Sequence, residues 1–176
     1  LLPYQTLDER ASALGGSSLG QGLERCFMEL LGLDADAAAS FVGGLRSGGV
    51  ACSQVYSMIQ KMAGHRLLID KSPGYASSLE TLRLAELLFD RPKFIHLTRH
   101  PVAVVESVVR MRMHALIDDR GGSAIDVAEK NWIESQSNVL EFFRDIPSDR
   151  QTTLSYEALV TQPKETMETL CHFMGI

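Results

Sequence analysis

The sequence predicts an α/β protein, with a parallel sheet preceded by a helical region. Two observations predict it. Three short apolar runs, "RLLID" (66–70), "KFIHLT" (93–98) and "QTTLSY" (151–156), each end in a polar turn and are each followed by residues at helical spacing. Strands that alternate with helices in this way are joined by crossovers and lie parallel. Residues 1–64 contain only helical patterns, so the expected arrangement is one domain, with a helical region over 1–64 and an α/β core over 65–176.

Leu19, Leu23, Cys26, Phe27 and Leu30 recur at helical spacing. "GLRSGGV" (44–50) breaks a second helix, and Val55, Ile59 and Met62 mark a third. The first strand follows at 66–70. Ser77 with Glu80 forms a capping-box pattern ahead of Leu79, Leu82, Leu84, Ala85 and Leu88. Pro92 closes that helix and 93–98 is the next strand. Pro101 suits the first turn of a helix running to about His114, and "DDRGGS" (118–123) is a loop. Ile125, Ala128, Trp132, Val139 and Phe143 form one stripe of a long helix. After the strand at 151–156, Pro163 opens a last helix, carrying Met167, Leu170, Cys171 and Met174, with Gly175 as its C-cap.

The 176 residues suffice for one domain with a sizeable core. Hydrophobic residues make up 45% and charged residues 22%, and the net charge is −5. That balance argues against a broad basic surface for nucleic acid or acidic membrane, so any anion site must be local. No apolar run approaches the ~20 residues that cross a bilayer. The opening "LLPYQTLDER" has no basic leader and does not read as a signal peptide. With no initial Met and an abrupt end at "CHFMGI", the chain reads as a piece of something longer. Cys26, Cys52 and Cys171 are odd in number and show no CxxC spacing, which fits buried thiols in a reducing, cytoplasmic compartment. The five histidines show no metal-ligand spacing, so no metal is expected. The glycines of "GGSSLGQG" (15–22) follow no strand and precede no Gly-Lys-Ser/Thr, so they read as a helix entry rather than a phosphate loop.

Ligands of parallel sheets bind beyond the carboxyl ends of the strands, which sets Asp70–Lys71, Arg99 and Tyr156 along one edge. Arg99 is followed at once by a helix entrance, where free N–H groups and the helix dipole favour an anion. Its guanidinium fork matches two phosphate oxygens. Ser107 lies seven residues past His100 and returns to nearly the same helical face. The residues alone leave two readings open. In one, Arg99 and Ser107 grip a terminal phosphate. In the other, Arg99 pairs with a carboxylate and Ser107 is a small residue at a tight helix crossing. His114 is the histidine best placed for a substrate-side role, and of Arg110 and Arg112 at most one can face a ligand.

"FIHLTRHPVAVVESVVR" (94–110) resembles the 3′-phosphate-binding element of sulfotransferases that use 3′-phosphoadenosine 5′-phosphosulfate (PAPS). There an Arg ends a strand, a residue-Pro pair follows, and a Ser comes eight residues after the Arg. "LIDKSPGY" (68–75) is similar to the family's Lys-Ser/Thr-Pro turn, and "LSYEALVTQPKETMETLCHFMGI" (154–176) to its Tyr-Glu-x-Leu tail. "LLPYQTLDERASALGGSSLGQGLERCFMELLGL" (1–33) resembles the helical region of sulfotransferase domains in modular polyketide synthases of the curacin and terminal-olefin kind.

The resemblance implies a three-layer αβα fold of the P-loop NTPase-like sulfotransferase type, with 1–64 on the substrate side. It implies PAPS as donor, held at Arg99 and Ser107, with Tyr156 near the adenine. By position rather than by resemblance, Lys71 at the mouth of the first strand would reach sulfuryl or substrate oxygens, and Arg110 and His114, the latter seven residues past Ser107, would lie toward the acceptor. The implied acceptor is the β-hydroxyl of an acyl chain on an acyl carrier protein, with a thioesterase then forming a terminal alkene. The family's 5′-phosphosulfate loop and its catalytic base are expected ahead of Leu1, and a second 3′-phosphate loop beyond Ile176. Residues 1–176 by themselves are therefore expected to be catalytically incomplete. Two other classes stay open on the sequence: a P-loop-type nucleotide kinase and a non-catalytic carrier-protein docking module.

Overall fold

A computed structural model describes residues 20–117 and 122–176. It divides into two compact units, the first ending at Pro73 and the second beginning at Gly74.

The first unit is helical. Its elements are α1 (Gly20–Leu31), α2 (Ala35–Ser47) and α3 (Cys52–Ala63). Gly32 takes φ +67°, which a side chain disfavours, and so ends α1. The Asp34 carboxylate then caps α2 by accepting the Ala37 N–H at 2.8 Å. Leu23 and Phe27 of α1 pack with Cys52, Val55 and Ile59 of α3. Phe27 meets Phe41 of α2 edge to face, with centroids 4.8 Å apart. Leu19 and most of the 15–22 glycine stretch lie outside the described residues, as does most of 118–123. Met62 is 37% exposed, and Ala63 takes the core position expected of it, four residues after Ile59.

The expected strand at 66–70 does not form. Residues 67–72 have no regular secondary structure, and Leu67 and Ile69 are exposed. A strand is defined by its ladder partner, and no described strand pairs with this run. Asp70 instead accepts hydrogen bonds from Tyr56 Oη (2.5 Å) and Ser72 Oγ (2.9 Å).

The second unit carries α4 (Leu79–Leu88), β1 (Phe94–Thr98), α5 (Pro101–Arg110), α6 (His114–Ile117), α7 (Ala124–Phe143), β2 (Gln151–Ser155), α8 (Tyr156–Thr161) and α9 (Pro163–Met174). Ser78, not Ser77, caps α4, accepting the Thr81 N–H at 3.1 Å, while the Ser77 hydroxyl donates to the Gly74 carbonyl. The expected helix from Pro101 to His114 is broken. It stops at Arg110, Arg112 takes φ +54°, and a separate turn restarts at His114. A positive φ is incompatible with continuing a right-handed helix.

β1 and β2 pair in parallel, from Phe94 opposite Gln151 to Thr98 opposite Ser155. One face of β1 is covered. Phe94 meets Phe142 of α7 edge to face at 4.8 Å, and His96 meets Phe143 at 5.9 Å. Leu82, Val139, Phe142 and Ile146 form the core behind them. The α7 stripe thus runs through Ala128, Val139 and Phe142, while Ile125, expected on it, is 53% exposed. Arg150 closes the layer with a two-pronged bond to Glu86 of α4, at 2.7 and 3.0 Å. At the far end Gly175, at φ +84°, caps α9 as expected.

Candidate functional site

The site is built by the register of two strands. Because Thr98 stands opposite Ser155, the next residue of each chain, Arg99 and Tyr156, leaves the sheet side by side at its carboxyl edge. The Arg99 guanidinium carbon lies 4.7 Å from the Tyr156 ring centroid, a cation–π contact that orients the fork. Tyr156 is the first residue of α8 rather than the last of a strand, because Ser155 caps that helix by accepting the Ala158 N–H at 3.0 Å. Thr98 Oγ1 donates to the Leu154 carbonyl at 3.3 Å and ties the two strand ends further.

No carboxylate among the described residues lies within ion-pair distance of Arg99. The nearby acid, Glu157, is engaged elsewhere: its Oε1 accepts the backbone N–H of His100 at 2.9 Å. That bond, with help from its own backbone N–H and the charges of His100 and Arg99, holds the Glu157 carboxyl below the usual carboxylate range. The side chain of His100, the cap residue of α5, makes no capping bond, and the Glu157 carboxylate holds the cap's backbone N–H; the helix opens at Pro101 directly after. Pro101 has no N–H and the Val104 N–H bonds the His100 carbonyl, so Val102 and Ala103 carry the donors that the first turn leaves open among the described residues. An uncommitted guanidinium beside such a helix start is chemically equipped to take an anion of phosphate type.

Ser107 is half-buried in the second turn of α5, and among the described residues its hydroxyl makes only a long contact to Met111 Sδ, 3.8 Å. Arg110 is the last residue of α5 and is exposed. His114 does not continue the α5 register, since the break at 111–113 separates them. Lys71 is exposed and belongs to the first unit, whereas Arg99, Ser107 and Tyr156 belong to the second. Among the described residues no group of His, Cys, Asp or Glu is arranged to hold a metal ion, and no helix is long and apolar enough to cross a membrane.

Residues 32–176 match the family pattern described as "Sulfotransferase family". The chain belongs to the sulfotransferase family. Two solved structures of sulfotransferase domains are similar over 99% of the chain. One is the sulfotransferase domain from the curacin biosynthetic pathway (40% identity, TM-score 0.91), of which the chain covers 62%. The other is the sulfotransferase domain from the Synechococcus PCC 7002 olefin synthase (38% identity, TM-score 0.87), of which it covers 61%. The chain thus spans about three-fifths of each of those domains. No curated protein matches it. These likenesses carry the αβα sulfotransferase fold that the sequence led us to expect.

One residue of this sulfotransferase chain escaped the sequence reading. Glu157 was visible only as the second letter of the Tyr-Glu pair. Its signal was positional: two parallel strands that end in register must bring the residues just past their ends together.

Proposed function

We propose that this chain supplies the 3′-phosphate side of a PAPS site in a sulfotransferase. The observation that carries the reading is the Arg99 guanidinium, set over Tyr156, beside the start of α5 and with no carboxylate ion-pair partner among the described residues. It favours the anion-grip reading of Arg99 over the carboxylate-pair reading. Arg99 binds the 3′-phosphate through its fork, the first turn of α5 adds backbone donors, and the Ser107 hydroxyl adds one more. Tyr156 offers its remaining ring surface to the adenine. PAPS, when bound, supplies the sulfuryl group, and the residues named here fix the donor's register at a distance from the reacting sulfur. Lys71, Arg110 and His114 stay acceptor-side candidates, although the strand end expected to present Lys71 and the continuous helix expected to carry His114 do not form.

The acceptor we propose is the β-hydroxyl of a chain carried on an acyl carrier protein within a polyketide assembly line. Its support is the likeness to domains of the curacin and olefin synthase pathways.

The donor reading is tested by nucleotide binding to the intact natural protein. Adenosine 3′,5′-bisphosphate should raise the melting temperature well beyond adenosine 5′-monophosphate, because only the former carries the 3′-phosphate. Equal shifts would overturn the assignment. The acceptor reading is tested by offering PAPS with a β-hydroxyacyl carrier protein or with free alcohols. Preference for the free alcohols would overturn it.

A further inference from the structure

We propose that Glu157 is a positioning residue for Arg99, a role that rests on Arg99 being the phosphate anchor. The His100–Glu157 hydrogen bond lies one residue beyond the Arg99–Tyr156 contact on both chains. Two consecutive residues of the β1–α5 turn are thereby matched to two consecutive residues at the start of α8. The ladder itself stops at Thr98 opposite Ser155, so beyond it the turn depends on side chains for its placement.

The same bond settles a conflict of charge. A carboxylate this close to a guanidinium ordinarily takes the fork in a two-pronged pair and blocks it. Here the carboxylate feels the Arg99 charge but is anchored on the His100 backbone N–H and forms no ion pair with Arg99, so it fixes the turn without taking the fork. The Arg150–Glu86 pair in the same unit shows the competing outcome, in which the fork is fully occupied. Glu157 therefore acts through Arg99 and does not touch the ligand.

The test compares Glu157→Ala, Glu157→Asp and Glu157→Gln in the intact natural protein by calorimetric titration. Adenosine 3′,5′-bisphosphate and adenosine 5′-monophosphate are the probes. Glu157→Ala should weaken the bisphosphate about tenfold, as loss of one charge-assisted hydrogen bond would, and leave the monophosphate nearly unchanged. Glu157→Gln keeps an acceptor oxygen and should restore most of the loss. Glu157→Asp keeps the charge but is one methylene too short, and should resemble Glu157→Ala. If Glu157→Ala does not fold, the Asp and Gln variants decide the matter between them. An Asp variant that binds like wild type, or a Gln variant that fails to recover, overturns the positioning role. So does an equal loss for both nucleotides. A wild-type protein without preference for the bisphosphate would instead overturn the phosphate reading of Arg99, and this role with it.

Discussion

The guanidinium of Arg99 stands 4.7 Å from the ring centre of Tyr156, and the two side chains come from the ends of parallel strands paired in register. The ring lies beside the guanidinium carbon, and a two-pronged grip on phosphate depends on how that planar group is held. Arg99→Ala should therefore cost roughly 1.5–3 kcal/mol in bisphosphate binding and abolish the preference over the monophosphate. Arg99→Lys should recover only part of it, because an ammonium has no fork. Titration calorimetry on the three proteins reads both effects.

Tyr156→Phe should preserve the cation–π contact and the nucleotide preference. Tyr156→Ala should lose about 0.5–1 kcal/mol of Arg99 placement, since the ring is 40% exposed and the contact is of the solvated kind. Comparing bisphosphate dissociation constants for the two variants distinguishes the ring from the hydroxyl.

The two strands of this corner were legible in the sequence because each is an apolar run flanked by turn residues and later finds a partner. "RLLID" has the same pattern and forms no strand among the described residues, because hydrophobic patterning reports burial and does not supply a ladder partner. The helix from Pro101 was legible at its start, where proline and dipole chemistry are local. Its end was not, since the left-handed Arg112 is a non-glycine residue that no local rule would place there. Arg99 and Ser107 stand out in the sequence by type and spacing. Glu157 needed the strand register, which is a three-dimensional fact.

The cap of α4 offers a direct check on such local chemistry. Ser78→Ala should destabilise the protein by about 1 kcal/mol, because it leaves the Thr81 N–H without its acceptor. Ser77→Ala should cost about 0.5 kcal/mol or less, as its exposed hydroxyl bonds only the Gly74 carbonyl. Urea denaturation of both variants separates the true cap from its neighbour.

Phe142 is 1% exposed and touches both Phe94 of β1 and Phe143. Phe142→Ala should cost about 3–5 kcal/mol through lost burial and the cavity left behind. The denaturation midpoint should fall with little change in slope.

Burial pushes the His96 imidazole below its ordinary pKa of 6.5, and the Gln136 side chain only partly opposes this. Above that value the ring is neutral in both folded and unfolded chains and contributes no pH dependence. As the pH falls through about 6.5 the unfolded chain takes up a proton that the folded chain resists, so stability declines. Between about pH 7.5 and about pH 5.5, wild type should lose more stability than His96→Gln. Equal losses in the two proteins would show that His96 is not the group responsible.

The bond between His100 and Glu157 joins residues 57 positions apart in the chain. Closing so long a loop carries an entropic cost that local helices such as α5 and α7 escape, and parallel pairing is the slow kind of contact. During synthesis, Arg99 leaves the ribosome well before the residue that fixes its turn has been made, so for that interval the nascent chain holds an unplaced cation. The placement of Arg99 against Tyr156 is thus a late product of folding. On the proposed reading of Arg99, a nucleotide finds its phosphate anchor only after the second strand has docked, so its binding would report complete folding of this unit.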